Sequence, residues 1–281
     1  MKKDIRIIAL DLDGTLLDSQ KRLSAENRAA LEAAAAKGVH IVPTTGRFFG
    51  MMPEAVRELP FVRYAITVNG AQVYDRATDT AIVREEIPLA RALEIMRILD
   101  RHDVIYDCYR LNWGWMSAAL QEKAEAYATD VHYLKMIREF RRPVPDLKAH
   151  LQETAAEGDV QKVMLFTRNT PDGKDEADAI RAEVSAAFPE IKITASTWNN
   201  LEFNIASANK GNSLRRFAEH LGFTLENCMA LGDGLNDLSM IELAGLGVAM
   251  ANAHPRVLEA ADHVTASNDE DGVARAIRTF V

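Results

Sequence analysis

The stretch IIALDLDGTLL, residues 7–17, decides the fold. It begins with an apolar, β-branched run, which predicts a buried strand over residues 5–10 that ends just before Asp11. Because alternate side chains of a strand share a face, we expect Asp11 and Asp13 together at its carboxyl end, where open α/β sheets bind ligands. Two carboxylates about 4 Å apart repel by about 4 kcal/mol at an effective dielectric of about 20. The pattern therefore indicates a cation or a shared proton between them, and a hard metal beside a carboxylate nucleophile fits it.

A turn and a calcium-binding loop are the two alternative interpretations of these residues. Asp-x-Asp-Gly-Thr is also compatible with a simple turn after a strand, since Asp and Gly favour turns, and the stretch alone leaves that open. An EF-hand loop needs Gly at its sixth position and a bidentate Glu at its twelfth. With Asp11 as the first position, those places hold Leu16 and Arg22, so a calcium loop is excluded.

The composition is typical of a globular protein with room for two domains. The chain has 281 residues, of which 48% are hydrophobic and 26% charged. Its formal net charge of -8 argues against nucleic acid or an anionic membrane as the main partner, because both need a basic footprint. No segment approaches the roughly 18 apolar residues of a membrane span. A cytoplasmic monomer or weak homodimer is the expectation.

Cysteine and histidine do not carry the chemistry of this chain. Cys108 and Cys228 form no CxxC or Cys/His cluster, so neither a disulfide framework nor a zinc site is predicted. We interpret the seven scattered histidines as surface or packing residues: His40, His102, His132, His150, His220, His254 and His263.

Apolar segments alternate between strand and helix patterns at both ends of the chain. Predicted strands cover residues 5–10, 39–42 and 64–68 near the start, and 201–205, 228–231, 247–250 and 262–265 near the end. Predicted helices cover residues 24–37, 209–221 and 269–280. This alternation favours a parallel sheet with helices on both faces.

The middle of the chain, residues 88–196, has a different pattern. It is richer in charged residues, and its strand candidates are irregularly spaced. Helices are predicted over 93–101, 118–129 and 175–188, and strands over 104–109 and 160–166. A separate α/β lobe inserted into the sheet domain fits this pattern.

Three further motifs lie at predicted strand ends or helix starts. TTGR, residues 44–47, closes the second strand. GDGLND, residues 232–237, opens a helix after a strand, and its glycines, helix start and carboxylates suit a phosphate group and Mg²⁺. Lys210 begins a helix, where the dipole disfavours a cation. Taken singly, each motif is also compatible with a turn, a cap or a solvated surface residue.

Together, the motifs DLDGTLL, TTGR, NKG (residues 209–211) and GDGLND resemble, in that order, the haloacid dehalogenase (HAD) superfamily. More narrowly, the chain is similar over its whole length to Cof-type phosphatases of subfamily IIB. The resemblance implies a Rossmann-like core of parallel strands with an inserted α/β cap of the C2B type. The room for that cap lies between Thr45 and Lys210. We therefore expect core segments at 1–86 and 198–281 and a cap at 87–197.

The resemblance also implies a mechanism. Asp11 is expected to attack phosphorus and form an aspartyl-phosphate. Asp13 is expected to protonate the leaving alcohol and then to activate water. Thr45 and Lys210 are expected to hold the phosphoryl oxygens. Dehalogenases of the superfamily lack an acid two residues after the nucleophile, so Asp13 favours phosphoryl transfer.

The remaining expected roles concern the cofactor and the substrate. Mg²⁺ is expected on the carboxylates of Asp11 and Asp233 and the backbone carbonyl of Asp13. Asp237 is expected to act through a metal-bound water or by orienting Lys210. Substrate contacts are expected from four residues: Leu12, Gly46, Arg47 and Asn236.

The leading expectation is a Mg²⁺-dependent phosphatase that acts on small phosphorylated metabolites. Sugar phosphates are the first candidates, followed by flavin mononucleotide and pyridoxal phosphate. A phosphomutase with the same cap type is a second hypothesis, and a non-catalytic sugar-phosphate sensor is a third. A nucleophile paired with a general acid argues against the sensor, because a binding protein uses neither.

Overall fold

The computed structural model describes residues 4–128 and 131–281, except for the side chain of His132. The expectation for His132 and the end of the helix predicted over 118–129 lie outside the described residues. The chain divides into two compact units. The core unit comprises Met1–Arg84 and Ser207–Val281, and the inserted unit comprises Glu85–Ala206. We expected the divisions after residues 86 and 197, whereas these units divide after residues 84 and 206.

The described strands and helices follow in chain order. The strands are β1 (Ile7–Leu10), β2 (His40–Pro43), β3 (Tyr64–Thr67), β4 (Gln72–Asp75), β5 (Thr80–Arg84), β6 (Val104–Arg110), β7 (Trp113–Ser117), β8 (Arg141–Val144), β9 (Lys162–Thr167), β10 (Ile191–Thr194), β11 (Asn200–Ile205), β12 (Cys228–Gly232), β13 (Leu246–Ala249) and β14 (His263–Val264). The helices are α1 (Ala25–Ala36), α2 (Glu54–Arg57), α3 (Leu89–Leu99), α4 (Ala118–Gln121), α5 (Val131–Phe140), α6 (Leu147–Glu153), α7 (Pro171–Ala187), α8 (Lys210–His220), α9 (Leu238–Leu243), α10 (Pro255–Ala260) and α11 (Gly272–Phe280). None of these helices is long and apolar enough to cross a membrane.

The core unit contains a five-stranded parallel sheet in the order β14-β13-β12-β1-β2. Both faces of this sheet are buried, as the continuous apolar run of β1 predicts. On one face, Ile8 lies in an apolar cluster with Leu31 of α1 and Ile277 of α11. On the other, Ile7 lies in a cluster with Phe217 of α8. The predicted parallel sheet with helices on both faces is confirmed, and it places the ends of β12, β1 and β2 side by side.

Local signals set the ends of two core helices. The Ser24 hydroxyl accepts a hydrogen bond from the backbone N–H of Asn27 at the start of α1, and Gly38 follows its end with φ of +83°. The Asn209 side chain accepts from the N–H of Asn212 at the start of α8. Helix α11 begins later than predicted, at Gly272, because Asp271 adopts a left-handed conformation in front of it.

The strand predicted at 64–68 does not continue the parallel sheet as expected. It forms β3, which pairs antiparallel with β4, and β4 pairs antiparallel with β5. A single parallel bridge between Thr44 and Ile66 connects it to the end of β2. The Asn69-Gly70 pair, which favours tight hairpin turns, lets the chain reverse here. The sequence patterns did not predict β4 and β5.

The inserted unit is built on a six-stranded sheet in the order β10-β11-β9-β6-β7-β8. All its described pairs are antiparallel except β7 with β8. The strand predicted at 201–205 was assigned to the core, and this was wrong. It forms β11, which pairs with β9 in the inserted unit. Local composition predicts a strand here but does not identify the strand with which it pairs.

Predictions inside the inserted unit are confirmed in part. Strands β6 and β9 and helices α3 and α7 form where apolar periodicity placed them, with shifted ends. The helix predicted over 118–129 is interrupted instead, since α4 ends at Gln121 and a short 3₁₀ turn covers Ala124–Ala126. Five elements had no clear sequence signal: β7, β8, β10, α5 and α6.

Candidate active site

The chemical motifs converge on one edge of the core sheet. Asp11 follows β1, Thr45 follows β2, and Asp233 follows β12. Because β1 lies between β2 and β12, the three strand ends are neighbours. Lys210 is the first residue of α8, which packs on this sheet. The four motifs therefore meet within the core unit.

A buried lysine lies between two of the carboxylates. The ammonium of Lys210 donates hydrogen bonds to Oδ1 of Asp11 at 2.6 Å and to Oδ1 of Asp237 at 2.5 Å. Its side chain is fully buried. Burial alone would lower the pKa of Lys210, but the two carboxylates outweigh it and raise the pKa above the ordinary value. The lysine is therefore a permanent cation in the site.

Asp237 also organises the loop that carries Asp233. Its Oδ2 atom accepts hydrogen bonds from the backbone N–H groups of Asp233 at 3.0 Å and Gly234 at 2.8 Å. One carboxylate thus orients Lys210 and closes the turn after β12. This contact fits one of the two roles expected for Asp237.

The carboxyl of Asp11 has a pKa close to neutral pH. The pKa is raised to about 7, chiefly by burial and in addition by the carboxylates of Asp237 and Asp233, while Lys210 opposes the rise. The cause is a shortage of positive charge around a desolvated carboxylate.

Asp11, Asp233 and Asp237 form a candidate cation site. One carboxylate oxygen from each lies within 4.8 Å of those of the other two. When all three are ionised, the carboxylates facing one ammonium leave two negative charges uncompensated, and their oxygens are the donors that Mg²⁺ prefers. A divalent hard cation fits this donor set. Burial raises the pKa of Asp233, as expected for a carboxyl short of positive charge.

Two residues of the DGT segment shape the same site. Thr15 donates from its hydroxyl to Oδ1 of Asp233 at 2.7 Å, which fixes the orientation of that carboxylate. Gly14 has φ of +87°, and a Cβ atom there would lie 2.5 Å from Oδ2 of Asp233. Only glycine allows this close approach. Thr15 was quoted within the motif but not predicted as a site residue.

The carboxylate of Asp13 has different partners from those of Asp11. Its carboxylate accepts from one guanidinium nitrogen of Arg47 at 3.0 and 2.7 Å, and Nζ of Lys21 lies 2.9 Å from Oδ1. Burial pulls its pKa upward, but these cations outweigh burial and hold the pKa of Asp13 below its ordinary value. Arg47 was expected to contact the leaving group of the substrate, whereas in this structure it donates hydrogen bonds to Asp13. Lys21 was not predicted, because no local pattern shows that its side chain reaches back to Asp13.

The remaining predicted residues surround the end of β2. Thr45 is buried, and its hydroxyl accepts from the backbone N–H of Arg47 at 3.3 Å. Gly46 adjoins Asn69, whose side-chain oxygen accepts from Nδ2 of Asn236 at 3.4 Å. The side chain of Leu12 is fully buried, so only its backbone is a candidate for binding substrate.

The raised pKa of Asp11 predicts how pH affects the metal-free protein. Its folded-state pKa of about 7 exceeds the ordinary value of 3.8, so the folded state holds a proton that the unfolded state has lost. This contribution to stability is therefore fully present below about pH 3.8 and is lost as pH rises from there through about 7, by at most about 1.4 kcal/mol per pH unit.

The measurement is thermal unfolding with a chelator present, for wild type and Asp11→Asn, from about pH 5 to about pH 8. Asn cannot ionise, so the melting temperature of the variant minus that of wild type is expected to increase with pH. A difference that stays constant or shrinks would contradict the assignment.

The sequence is similar to those of known proteins over almost its whole length. A family model described as haloacid dehalogenase-like hydrolase matches residues 8–277. The 5-amino-6-(5-phospho-D-ribitylamino)uracil phosphatase YcsE of Bacillus subtilis is 35% identical over 99% of this chain and 96% of its own. The pyridoxal phosphate phosphatase YbhA of Escherichia coli is 28% identical over 97% of each chain.

A solved structure shows the same architecture. A haloacid dehalogenase-like hydrolase from Bacteroides thetaiotaomicron superimposes with a TM-score of 0.81 at 28% identity, covering 99% of this chain and 100% of the other. The likeness therefore extends over both units of the chain.

Proposed function

This chain belongs to the haloacid dehalogenase-like hydrolase family and is a phosphatase, and we propose that it hydrolyses phosphoric monoesters of small metabolites through a phosphorylated Asp11. The observation that carries the proposal is the buried contact of Asp11 with Lys210, beside a second acid, Asp13, that has different partners. A nucleophile needs to be ionised and held, whereas an acid–base group needs to exchange a proton.

In the first step, a carboxylate oxygen of Asp11 attacks phosphorus. The bond between phosphorus and the ester oxygen breaks, and the leaving oxygen takes a proton from Asp13. The products are the free alcohol and a phosphoryl group on Asp11. Because Asp13 is held ionised by Arg47 and Lys21 in this arrangement, it must leave those cations and gain a proton before it donates.

In the second step, water attacks the phosphorus of the phosphorylated Asp11. Asp13, now a carboxylate, accepts the water proton, inorganic phosphate departs, and the Asp11 carboxylate is regenerated. Arg47 and Lys21 keep Asp13 in the ionised form, which is the form that can accept this proton.

Lys210 and Thr45 supply the binding of the phosphoryl group. The Lys210 ammonium is fixed by two hydrogen bonds and needs no reorganisation as charge develops on the phosphoryl oxygens. The Thr45 hydroxyl and the N–H of Gly46 border the same strand end. Mg²⁺ held by Asp11, Asp233 and the backbone carbonyl of Asp13 would supply further positive charge toward the phosphoryl group.

The substrate class is proposed from the relatives and the sequence together. The names of YcsE and YbhA identify a phosphorylated ribityl compound and pyridoxal phosphate as their substrates. Sugar and sugar-alcohol phosphates are therefore the first candidates for this chain, and pyridoxal phosphate and flavin mononucleotide follow.

The test is release of inorganic phosphate from these compounds, with Mg²⁺ and after chelation, using Asp11→Asn as the blank. Release by wild type that needs Mg²⁺ and is absent from the blank is the expected result. No release from any compound by a folded, Mg²⁺-binding protein would contradict the proposal and favour the phosphomutase or sensor hypothesis.

Asp13→Asn is expected to separate the two steps. With p-nitrophenyl phosphate, whose leaving group needs no proton, a burst of about one equivalent of p-nitrophenolate should precede slow turnover. With a sugar phosphate, both steps should slow by about 10²–10⁴-fold and no burst should form. Stopped-flow absorbance and rapid-quench phosphate assays measure the two substrates. A burst with both substrates, or with neither, would contradict the role of Asp13.

A further inference from the structure

The turn between β3 and β4 has an unusual backbone. Val68, Asn69 and Gly70 have φ values of 52°, 56° and 97°, so three consecutive residues lie in the left-handed region. A tight Asn-Gly hairpin turn needs only two such residues. The additional one, Val68, is β-branched, and strain of this kind persists only where the surroundings impose it.

The backbone of this turn is bound to the segment after β2. The N–H of Val68 donates to the carbonyl of Arg47, and the N–H of Asn69 donates to the carbonyl of Thr45, both at 3.0 Å. These two bonds span Gly46. The turn therefore sets the course of the segment that carries Thr45 and Gly46.

The same turn supports the start of helix α8. The hydroxyl of Ser213 donates to the carbonyl of Gly70 at 2.5 Å. A Cβ atom on Gly70 would lie 2.4 Å from the backbone of Asn209, the residue before Lys210. The position of Lys210 thus depends on close contact between α8 and the turn.

The side chain of Asn69 completes the connection. Its Oδ1 atom accepts from Nδ2 of Asn236 in the loop after β12. A Cβ atom added to Gly46 would lie 3.0 Å from the same Oδ1 atom, so the amide packs directly on this glycine. Asn69 therefore contacts the segments after β2 and β12 at once.

We propose that Asn69 is a positioning residue for phosphoryl transfer. Its side chain contacts both Gly46 and Asn236 and so fixes their relative positions. The backbone of its turn holds Thr45 and the start of α8. Asn suits both tasks, since it tolerates the left-handed region better than other residues with a Cβ and carries a short amide. The inference rests on the proposed phosphatase function.

Two substitutions distinguish the contribution of the Asn69 side chain from that of its left-handed backbone. Asn69→Gly accepts the left-handed backbone but removes the amide, and Asn69→Ala removes the amide and adds strain. We expect Asn69→Ala to melt at a lower temperature than Asn69→Gly. Both variants should nevertheless lose kcat/KM for p-nitrophenyl phosphate by about tenfold or more, because small misplacements of catalytic groups slow reaction strongly.

Binding of inorganic phosphate provides a second readout. Its inhibition constant should increase in both variants, whereas a purely structural role would change only the melting temperature. Asp79→Gly is the matched control, because Asp79 also has a left-handed φ of 53° and lies between β4 and β5. It should keep the kcat/KM of wild type.

The outcomes distinguish the inference from the function on which it rests. Wild-type kcat/KM in Asn69→Gly, whether or not Asn69→Ala is impaired, would overturn the positioning role while leaving the phosphatase function intact. A wild-type protein that neither turns over p-nitrophenyl phosphate nor binds inorganic phosphate would overturn both.

Discussion

Asp11→Asn is expected to abolish phosphate release, by at least about 10⁴-fold in kcat, and to keep the fold. The amide is close to isosteric with the carboxylate but cannot act as the nucleophile. It also removes one of three crowded carboxylates, so no buried charge loses its only partner, since Lys210 retains Asp237. Phosphate release and the thermal unfolding curve of the same preparation measure both effects.

A matched control tests whether loss of any buried carboxylate has this effect. Asp75 is also buried in the core unit, where Arg63 binds it with bonds of 3.0 and 2.8 Å. Asp75→Asn should weaken the fold and keep catalysis, which is the reverse of the Asp11 result. Comparable kcat values in Asp11→Asn and wild type would refute the nucleophile assignment.

Lys210→Met is expected to have the largest combined effect on activity and stability. The fully buried ammonium is shared by Asp11 and Asp237, and its removal leaves two buried carboxylates without that partner. Removing one member of a buried ion pair typically costs about 3–5 kcal/mol of unfolding free energy. Under the proposed mechanism, loss of this fixed cation should also lower kcat by about 10²–10³-fold. Chemical denaturation without metal and steady-state kinetics with Mg²⁺ measure the two effects.

The double variant Lys210→Met/Asp237→Asn separates the two effects. Neutralising Asp237 removes one unpaired carboxylate, so part of the lost stability should return, while activity should stay low. Added Mg²⁺ should also stabilise Lys210→Met, because a ligand that binds only the folded state shifts the unfolding equilibrium. An unchanged unfolding free energy in Lys210→Met would contradict the charge balance described for this site.

The positions of the proposed catalytic residues could be predicted because they follow from local patterns and one topological rule. Asp11 follows an apolar strand, Asp233 follows another, and the carboxyl ends of parallel strands meet at one edge. Lys210 stood out because a helix start disfavours a cation. The structure explains that exception, since two carboxylates compensate the charge.

Contacts made through long side chains could not be predicted in this way. Lys21 and Arg47 come from different loops, and their contact with Asp13 depends on side-chain reach and loop conformation. The strand predicted at 201–205 was assigned to the wrong unit for a related reason, because strand pairing is decided by a distant partner. Asn69 gave only a turn signal, and its contacts with the segments after β2 and β12 exist only in the folded chain.

The most direct test of the phosphoryl-enzyme mechanism is mass spectrometry of acid-quenched enzyme during turnover of p-nitrophenyl phosphate. Asp13→Asn is the best protein for it, because its second step should be slow and the intermediate should accumulate. The mechanism predicts that the peptide containing Asp11 gains the mass of one phosphoryl group, and that Asp11→Asn shows none. Release of p-nitrophenolate without that modification, or a phosphoryl group on another residue, would contradict it.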